Sequence, residues 1–347
     1  MSINGIAAAN YGVEDVAKSV EFLEDLGLKL VERQGDAYAA FELPDGSAVT
    51  VRPLGDKALP ASRLQGPGVH ELIWGVSSQE ALDRLSADLS KDCEIRTGSD
   101  GVLRLLTPFG LAMGFKLFRP IPLQSTASAQ NSPGSNLRMN QWRKWRKRAM
   151  PKELEHIVFA VPDVNSALDF MRDRLGFKVT DVQRGFGMFL RAPASNHHHN
   201  IAFIDSDIPF LNSAGKVTFN HLNFLVDDID EIMVGKMYME RKGWPGSDIG
   251  LGRHRISSGA FLYMPAPLGG EVEYGADIDR LDDTWVPLEW DNLFGFLMFG
   301  HNLPPFLKGE QNWDMKFVEN PETVRHVPHK EYVAAVGPGM GGAGGAH

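Results

Sequence analysis

The sequence predicts an α+β fold built from tandem βαβββ modules, paired into two halves. Three observations predict it. The chain has 347 residues, long for one compact domain and comfortable for two. Two stretches carry the same landmarks in the same order, offset by 148 residues at Val13 and Val161 and by 150 at Val76 and Val226. A near-constant offset is the mark of an internal duplication. Within each copy, apolar runs of strand period alternate with helical stretches.

The first copy begins with Val13-Glu14-Asp15-Val16, then Phe22, Asp25 and Leu26-Gly27-Leu28-Lys29. The second begins with Val161-Pro162-Asp163-Val164, then Phe170, Asp173 and Leu175-Gly176-Phe177-Lys178. In each, an apolar strand runs into an Asp able to cap a helix. Leu168, Phe170 and Met171 give the second helix an apolar face, and the glycines suit a left-handed helix end. Strands are expected at 29–32 and 178–181. Further on, His70-Glu71-Leu72-Ile73-Trp74-Gly75-Val76 resembles His221-Leu222-Asn223-Phe224-Leu225-Val226, each leading into an amphipathic helix. Each half closes with a Pro-x-Gly turn and a strand, after Pro108-Phe109-Gly110 and after Pro267-Leu268-Gly269. Each half therefore holds two βαβββ units.

Residues 124–136 are rich in Ser, Gln, Asn, Pro and Gly and read as a linker. Trp142-Arg143-Lys144-Trp145-Arg146-Lys147-Arg148 follows. A basic and aromatic run can grip nucleic acid, but a net charge of -9 opposes phosphate. The expectation is a solvated segment that packs both Trp rings onto one half. The expected organisation is 1–120, a linker or insertion at 121–150, 151–302, and a tail at 303–347 whose Gly- and Ala-rich end, 337–347, should be disordered. Hydrophobic residues at 43% and charged residues at 23% fit a soluble globular chain. Cys93 is the single cysteine, so neither a disulfide nor a paired-thiolate metal site is available. With no signal segment at the start and no apolar run of ~20 residues, no membrane contact and a cytoplasmic setting are expected.

Two histidines and a carboxylate stand on separate expected strands of the second half. They are His156 in 154–161, His221 in 220–226 and Glu273 in 271–275. Two imidazoles and one carboxylate occupy one face of an Fe(II) octahedron and leave three positions open. A lone strand histidine is more often a packed core residue, and Glu271 shares a strand face with Glu273, so the residues alone leave the set open.

These residues carry a resemblance. The second half is similar to the catalytic domain of type I extradiol ring-cleavage dioxygenases of the vicinal oxygen chelate superfamily, in particular the biphenyl-2,3-diol 1,2-dioxygenases. The matching segments are Leu154-Glu155-His156-Ile157-Val158-Phe159, Asn196-His197-His198-His199-Asn200, Asn220-His221-Leu222-Asn223, Leu251-Gly252-Arg253-His254 and Glu271-Val272-Glu273-Tyr274-Gly275. The resemblance covers about residues 3 to 302, strongly in the second half and only in architecture in the first. It implies the vicinal oxygen chelate (glyoxalase-like) fold, with His156, His221 and Glu273 as ligands of Fe(II), or of Mn(II), which accepts the same set. It further implies His199 as the acid-base histidine, with His198 flanking it in the substrate pocket. His254 becomes a substrate hydroxyl contact and Tyr263 a phenol donor. Ile256 and Ser257 stand where biphenyl-type members carry Asn and Asp, so an apolar ring substituent is expected near Ile256.

Counting from the paired landmarks, His156 corresponds to Ala8, His221 to Glu71 and Glu273 to Gly114. Those three cannot bind a metal, so the first half is expected to be non-catalytic, with His70 an ordinary core or surface histidine. The chemistry then needs a histidine near its ordinary pKa of ~6.5 to accept and return a proton, the task assigned to His199. The expected enzyme opens a substituted catechol with O2 to a muconic semialdehyde-type product in aromatic catabolism, as a homo-oligomer. Two alternatives remain: a hydroquinone or trihydroxybenzene cleaver, and a glyoxalase-type isomerase or lyase. The first-half counterparts oppose the second alternative, since that class often draws ligands from both halves. A third, an antibiotic-sequestering protein, would lack the ligands altogether.

Overall fold

An apolar strand opens each repeat and an aspartate ends it. In the computed structural model, which describes residues 3–124, 127–304, 308 and 312–336, β1 (Ile3–Val13) and β9 (Glu153–Val161) are buried along almost their whole length. Asp15 and Asp163 follow in extended conformation, and their carboxylates accept from the main-chain N–H of Lys18 and Ser166. They cap α1 (Val16–Leu26) and α3 (Val164–Asp169).

The two helices then differ. Asp15 is 12 residues from Gly27, whereas Asp163 is 13 from Gly176. The extra residue is absorbed as a π turn over Phe170–Arg174. An inserted residue in a helix is commonly accommodated this way.

The first half continues with β2 (Lys29–Gln34), β3 (Tyr38–Glu42), β4 (Ala48–Pro53), β5 (Gly68–Val76), α2 (Gln79–Leu89), β6 (Ile95–Thr97), β7 (Leu103–Leu106) and β8 (Ala112–Leu117). Its sheet has the order β2-β3-β4-β1-β5-β8-β7-β6. The second half repeats the pattern with β10 (Lys178–Gln183), β11 (Gly187–Arg191), β12 (Ile201–Asp205), β13 (Thr218–Leu225), α4 (Ile229–Arg241), β14 (Gly252–Arg253), β15 (Ala260–Pro265) and β16 (Glu271–Ala276). The corresponding eight strands run β14-β15-β16-β13-β9-β12-β11-β10. These are the paired βαβββ units that the residue pattern predicts, in the glyoxalase-like arrangement that the resemblance implied.

Strand register reproduces the correspondence between the halves. Glu71 pairs with Ala112 across β5 and β8, as His221 pairs with Glu271 across β13 and β16. Arg104 faces Gly114, as Tyr263 faces Glu273. In the first half the Arg104 Nε donates to Glu71 at 2.6 Å, and Asn10 donates to the other Glu71 oxygen at 2.6 Å. An ion pair and an amide thus fill the place where the second half gathers its histidines.

One apolar core runs through both sheets. Trp74 meets Phe177 edge to face at 4.9 Å, and the Tyr274 hydroxyl donates to the Leu26 carbonyl at 2.6 Å. Ala149 lies so close to α4 that a Cβ at Gly235 would sit 2.7 Å from its methyl.

Two expectations about the connecting segments change. Trp142 and Trp145 do not pack onto either half. They stack on each other, 6.4 Å apart, at 80% and 85% exposure. The anchor is instead Arg146, whose nearly buried guanidinium pairs with Asp227, Asp228 and Glu231 around the start of α4. Charge complementarity thus seats the linker and leaves the indoles outside.

Of the segment from 303 onward, expected as a tail, the described residues 312–336 fold back onto the second half. After β17 (Leu288–Trp290), α5 (Asn292–Phe296) and β18 (Phe299–Gly300), β19 (Met315–Phe317) pairs with β17, and α6 (His329–Val336) buries His329 and Tyr332. Its hydrogen bonds to Asp205, Gly185 and Asp291 hold it there. The stretch 337–347 lies outside the described residues.

Candidate active site

Neighbouring strands β9, β13 and β16 each bring one side chain to the same point. His156, His221 and Glu273 are buried, and one ligand atom from each lies within 4.8 Å of the others. Glu273 Oε2 is 3.0 Å from His156 Nε2 and 3.3 Å from His221 Nε2, yet is aligned for a hydrogen bond with neither. A buried carboxylate oxygen flanked by two imidazole nitrogens, without a hydrogen bond of its own, fits a cation among the three. Among the described residues no other His, Cys, Asp and Glu group meets that geometry.

Both histidines are oriented from behind. His156 Nδ1 donates to the fully buried Glu155 carboxylate, and His221 Nδ1 donates to Asn220 Oδ1 at 2.7 Å. Each therefore turns Nε2 toward the centre, the arrangement that fixes metal-binding imidazoles. Burial opposes charge on His156, but Glu155 and Glu273 outweigh it and hold its pKa up at about 9. Burial likewise opposes charge on Glu273, and His156 and His221 reverse that to about 2. For His221, burial prevails and takes it down to about 3. Glu271 also faces the cavity, but burial and the Glu273 charge push it up to about 7.

A cavity of about 340 Å³ opens from this cluster. Its wall is largely apolar, with Val158, Phe186, Phe189, Ala202 and Ile204 on one side and Ile256 on another. His199, His254, Tyr263, Ile256 and Ser257 all line it. The His199 ring lies 4.1 Å from that of His156. His254 Nδ1 donates to the Phe296 carbonyl at 2.6 Å, so its Nε2 accepts the Tyr263 hydroxyl at 3.1 Å. Ile256 and Ser257 sit on a tight turn in which Ser257 and Ser258 both have positive φ, 67° and 53°. The Asp279 N–H to Ser257 carbonyl bond, 2.9 Å, and the Ser258 hydroxyl to Asp279 bond, 2.8 Å, hold that turn.

Two expectations are corrected here. His198 does not line the cavity. It is fully buried behind His199, its Nε2 donating to Asp181 at 2.9 Å and its Nδ1 lying 3.0 Å from His199 Nδ1. Nor does His199 keep an ordinary pKa: burial, followed by the neighbouring His156, takes it well below the usual imidazole value.

Sequence reasoning assigned no role to Glu155 or Asp181. Glu155 stood beside His156 in a matching segment, so adjacency to a ligand was its only signal. Asp181 lies 17 residues before His198, and only the pairing of β10 with β11 brings it near.

Known proteins resemble this chain in sequence and in fold. The family model described as the glyoxalase/bleomycin resistance protein/dioxygenase superfamily matches residues 153–260. Metapyrocatechase 2 of Cupriavidus necator is 33% identical over 158 residues, which is 46% of this chain and 46% of that protein, so the match spans less than half of either. Biphenyl-2,3-diol 1,2-dioxygenase of Paraburkholderia xenovorans is 24% identical over 336 residues, 87% of this chain and 96% of that one. Among solved structures, an Mn(II)-bound glyoxalase from Novosphingobium aromaticivorans shares the fold, with TM-score 0.67 at 22% identity over 89% of this chain and 95% of that one. Residues 153–260 thus match the glyoxalase/bleomycin resistance protein/dioxygenase superfamily model, and the chain is similar over most of its length to a biphenyl-2,3-diol 1,2-dioxygenase.

Proposed function

We propose that this chain is an extradiol dioxygenase that opens a substituted catechol with O2, using Fe(II) or Mn(II) held by His156, His221 and Glu273. The convergence of those three donors at the wall of an apolar cavity carries the reading. A metal bound there would supply adjacent open positions and redox activity.

The chain's own residues do the rest. Asp181 accepts from His198 Nε2, so His198 Nδ1 is an acceptor and His199 Nδ1 carries the proton. His199 Nε2 is then a lone-pair nitrogen beside the cluster, placed to take a catechol hydroxyl proton and to return it later. Its depressed pKa keeps it neutral and ready to accept. Tyr263 and His254 offer a hydroxyl and an imidazole on the other side of Glu273. Phe189, Val158 and Ala202 keep water away from the ring. The same reading takes the enzyme as a cytoplasmic homo-oligomer, which light scattering of the purified chain and fractionation of expressing cells would check.

The test is anaerobic reconstitution with Fe(II), then a panel of catechols followed by oxygen uptake and product absorbance. Stoichiometric uptake with one metal per chain is expected, and Glu273→Gln should lose the metal while keeping its circular dichroism. No catechol consumed, together with turnover of a thiol hemiacetal, would transfer the chain to the glyoxalase reading.

A further inference from the structure

The cavity has a second polar end, built partly by the C-terminal segment. Gln183, closing β10, donates Nε2 to the Asn292 main-chain carbonyl at 2.6 Å and to Asn292 Oδ1 at 3.0 Å. A main-chain carbonyl can only accept, so the amide orientation is fixed and Gln183 Oε1 is left as an acceptor. His329 reaches the same corner from α6. Its main-chain N–H donates to Asp205 Oδ2 at 2.7 Å, and its Nδ1 donates to the Gly185 carbonyl at 2.9 Å. That bond fixes the tautomer and leaves Nε2 with a lone pair.

The corner is held in place. Gly185 has φ +65°, and a Cβ there would run into the Tyr332 ring. The Tyr332 hydroxyl donates to Asp291 at 3.0 Å. Gln183 and His329 both line the cavity, and among the described residues no hydrogen bond reaches Gln183 Oε1 or His329 Nε2. In the sheet, β10 lies three strands from β9, the strand of His156. At ~4.8 Å per strand, that is about 14 Å along the sheet. Phe186, Ile204, Ile208 and Ile256 supply apolar wall to the same cavity.

Two acceptors beyond an apolar sleeve call for a donor on the ligand. Resting on the catechol-cleavage reading, we propose that His329 and Gln183 form a distal subsite that recognises a hydroxyl at the far end of the catechol's ring substituent. A purely apolar substituent reaching this corner would leave both acceptors without partners, a cost that selects against it.

The test compares ligands that differ by one hydroxyl: 3-phenylcatechol and the three 3-(hydroxyphenyl)catechols. Each is titrated calorimetrically into the metal-loaded protein without oxygen. At least one hydroxylated ligand should bind roughly three- to tenfold tighter than 3-phenylcatechol. His329→Phe and, independently, Gln183→Leu should bring that ratio to about one, with circular dichroism confirming that each variant folds. Equal affinity of all four ligands for the unmodified protein would overturn the subsite alone. Failure of every ligand to bind would overturn the catechol reading and the subsite with it.

Discussion

The tautomer of His199 is set two residues away from the cavity. Asp181 orients His198, and His198 orients His199, so the nitrogen facing the cavity is the unprotonated one. His199→Ala should keep the metal and still bind catechol, with turnover down roughly 100- to 10,000-fold. Asp181→Asn should cut turnover by less, because the ring remains but its tautomer is no longer imposed. Metal content and single-turnover rates separate these outcomes from loss of the site. Glu155 bears instead on the proposed metal site through His156. It holds His156 Nδ1 in a fully buried position, and Glu155→Gln should weaken metal affinity by about 10- to 100-fold. Competition with a chelating dye measures it, and unchanged affinity would leave Glu155 a purely structural carboxylate.

At the scale of elements, the β3–β4 turn joins the first half to the linker and to the start of the second half. The Asp45 main-chain N–H donates to the Lys152 carbonyl at 3.2 Å, and the Asp45 carbonyl accepts from Ile121 at 2.8 Å. Its buried carboxyl accepts from the Ser47 N–H and hydroxyl, yet burial raises its pKa to about 6. The folded chain therefore binds this proton more tightly than the unfolded chain. The associated stability is complete below the ordinary aspartate value of 3.8 and is lost as pH rises through 6. Its size is at most about 3 kcal/mol. Asp45→Asn keeps both Ser47 bonds and removes the titration, so melting temperature should gain relative to the unmodified chain above pH 6 and not at pH 4. Parallel melting curves from pH 4 to 8 would contradict this.

The repeated elements were legible because strand and helix periods, capping aspartates and turn glycines are local signals. The π turn after α3 was legible only as one extra residue between Asp163 and Gly176, since spacing does not say how a helix absorbs an insertion. The roles of the three consecutive histidines were not separable for a similar reason. A loop has no fixed period, and only the pairing with Asp181 shows which ring turns inward.

Across the whole molecule, the linker is held by charge rather than by apolar burial. Arg146 pairs with three carboxylates, and its removal takes that shared counter-charge from all three. Arg146→Ala should cost about 3–5 kcal/mol in denaturant unfolding, and Arg146→Lys less. An unshifted midpoint would mean that those carboxylates are already satisfied by other partners. The composition of 141–148 could not reveal this, because its indoles and cations suit burial or exposure equally until Asp227, Asp228 and Glu231 are placed beside them. The return of the chain from 312 to 336 was illegible too, since it depends on partners such as Asp205 and Gly185 more than a hundred residues earlier. The Arg104–Glu71–Asn10 cluster bears on supply. With a guanidinium standing permanently where its twin half gathers donors for an ion, the first half owes nothing to the availability of metal. An ion lost from the proposed site would take none of the first half's framework with it.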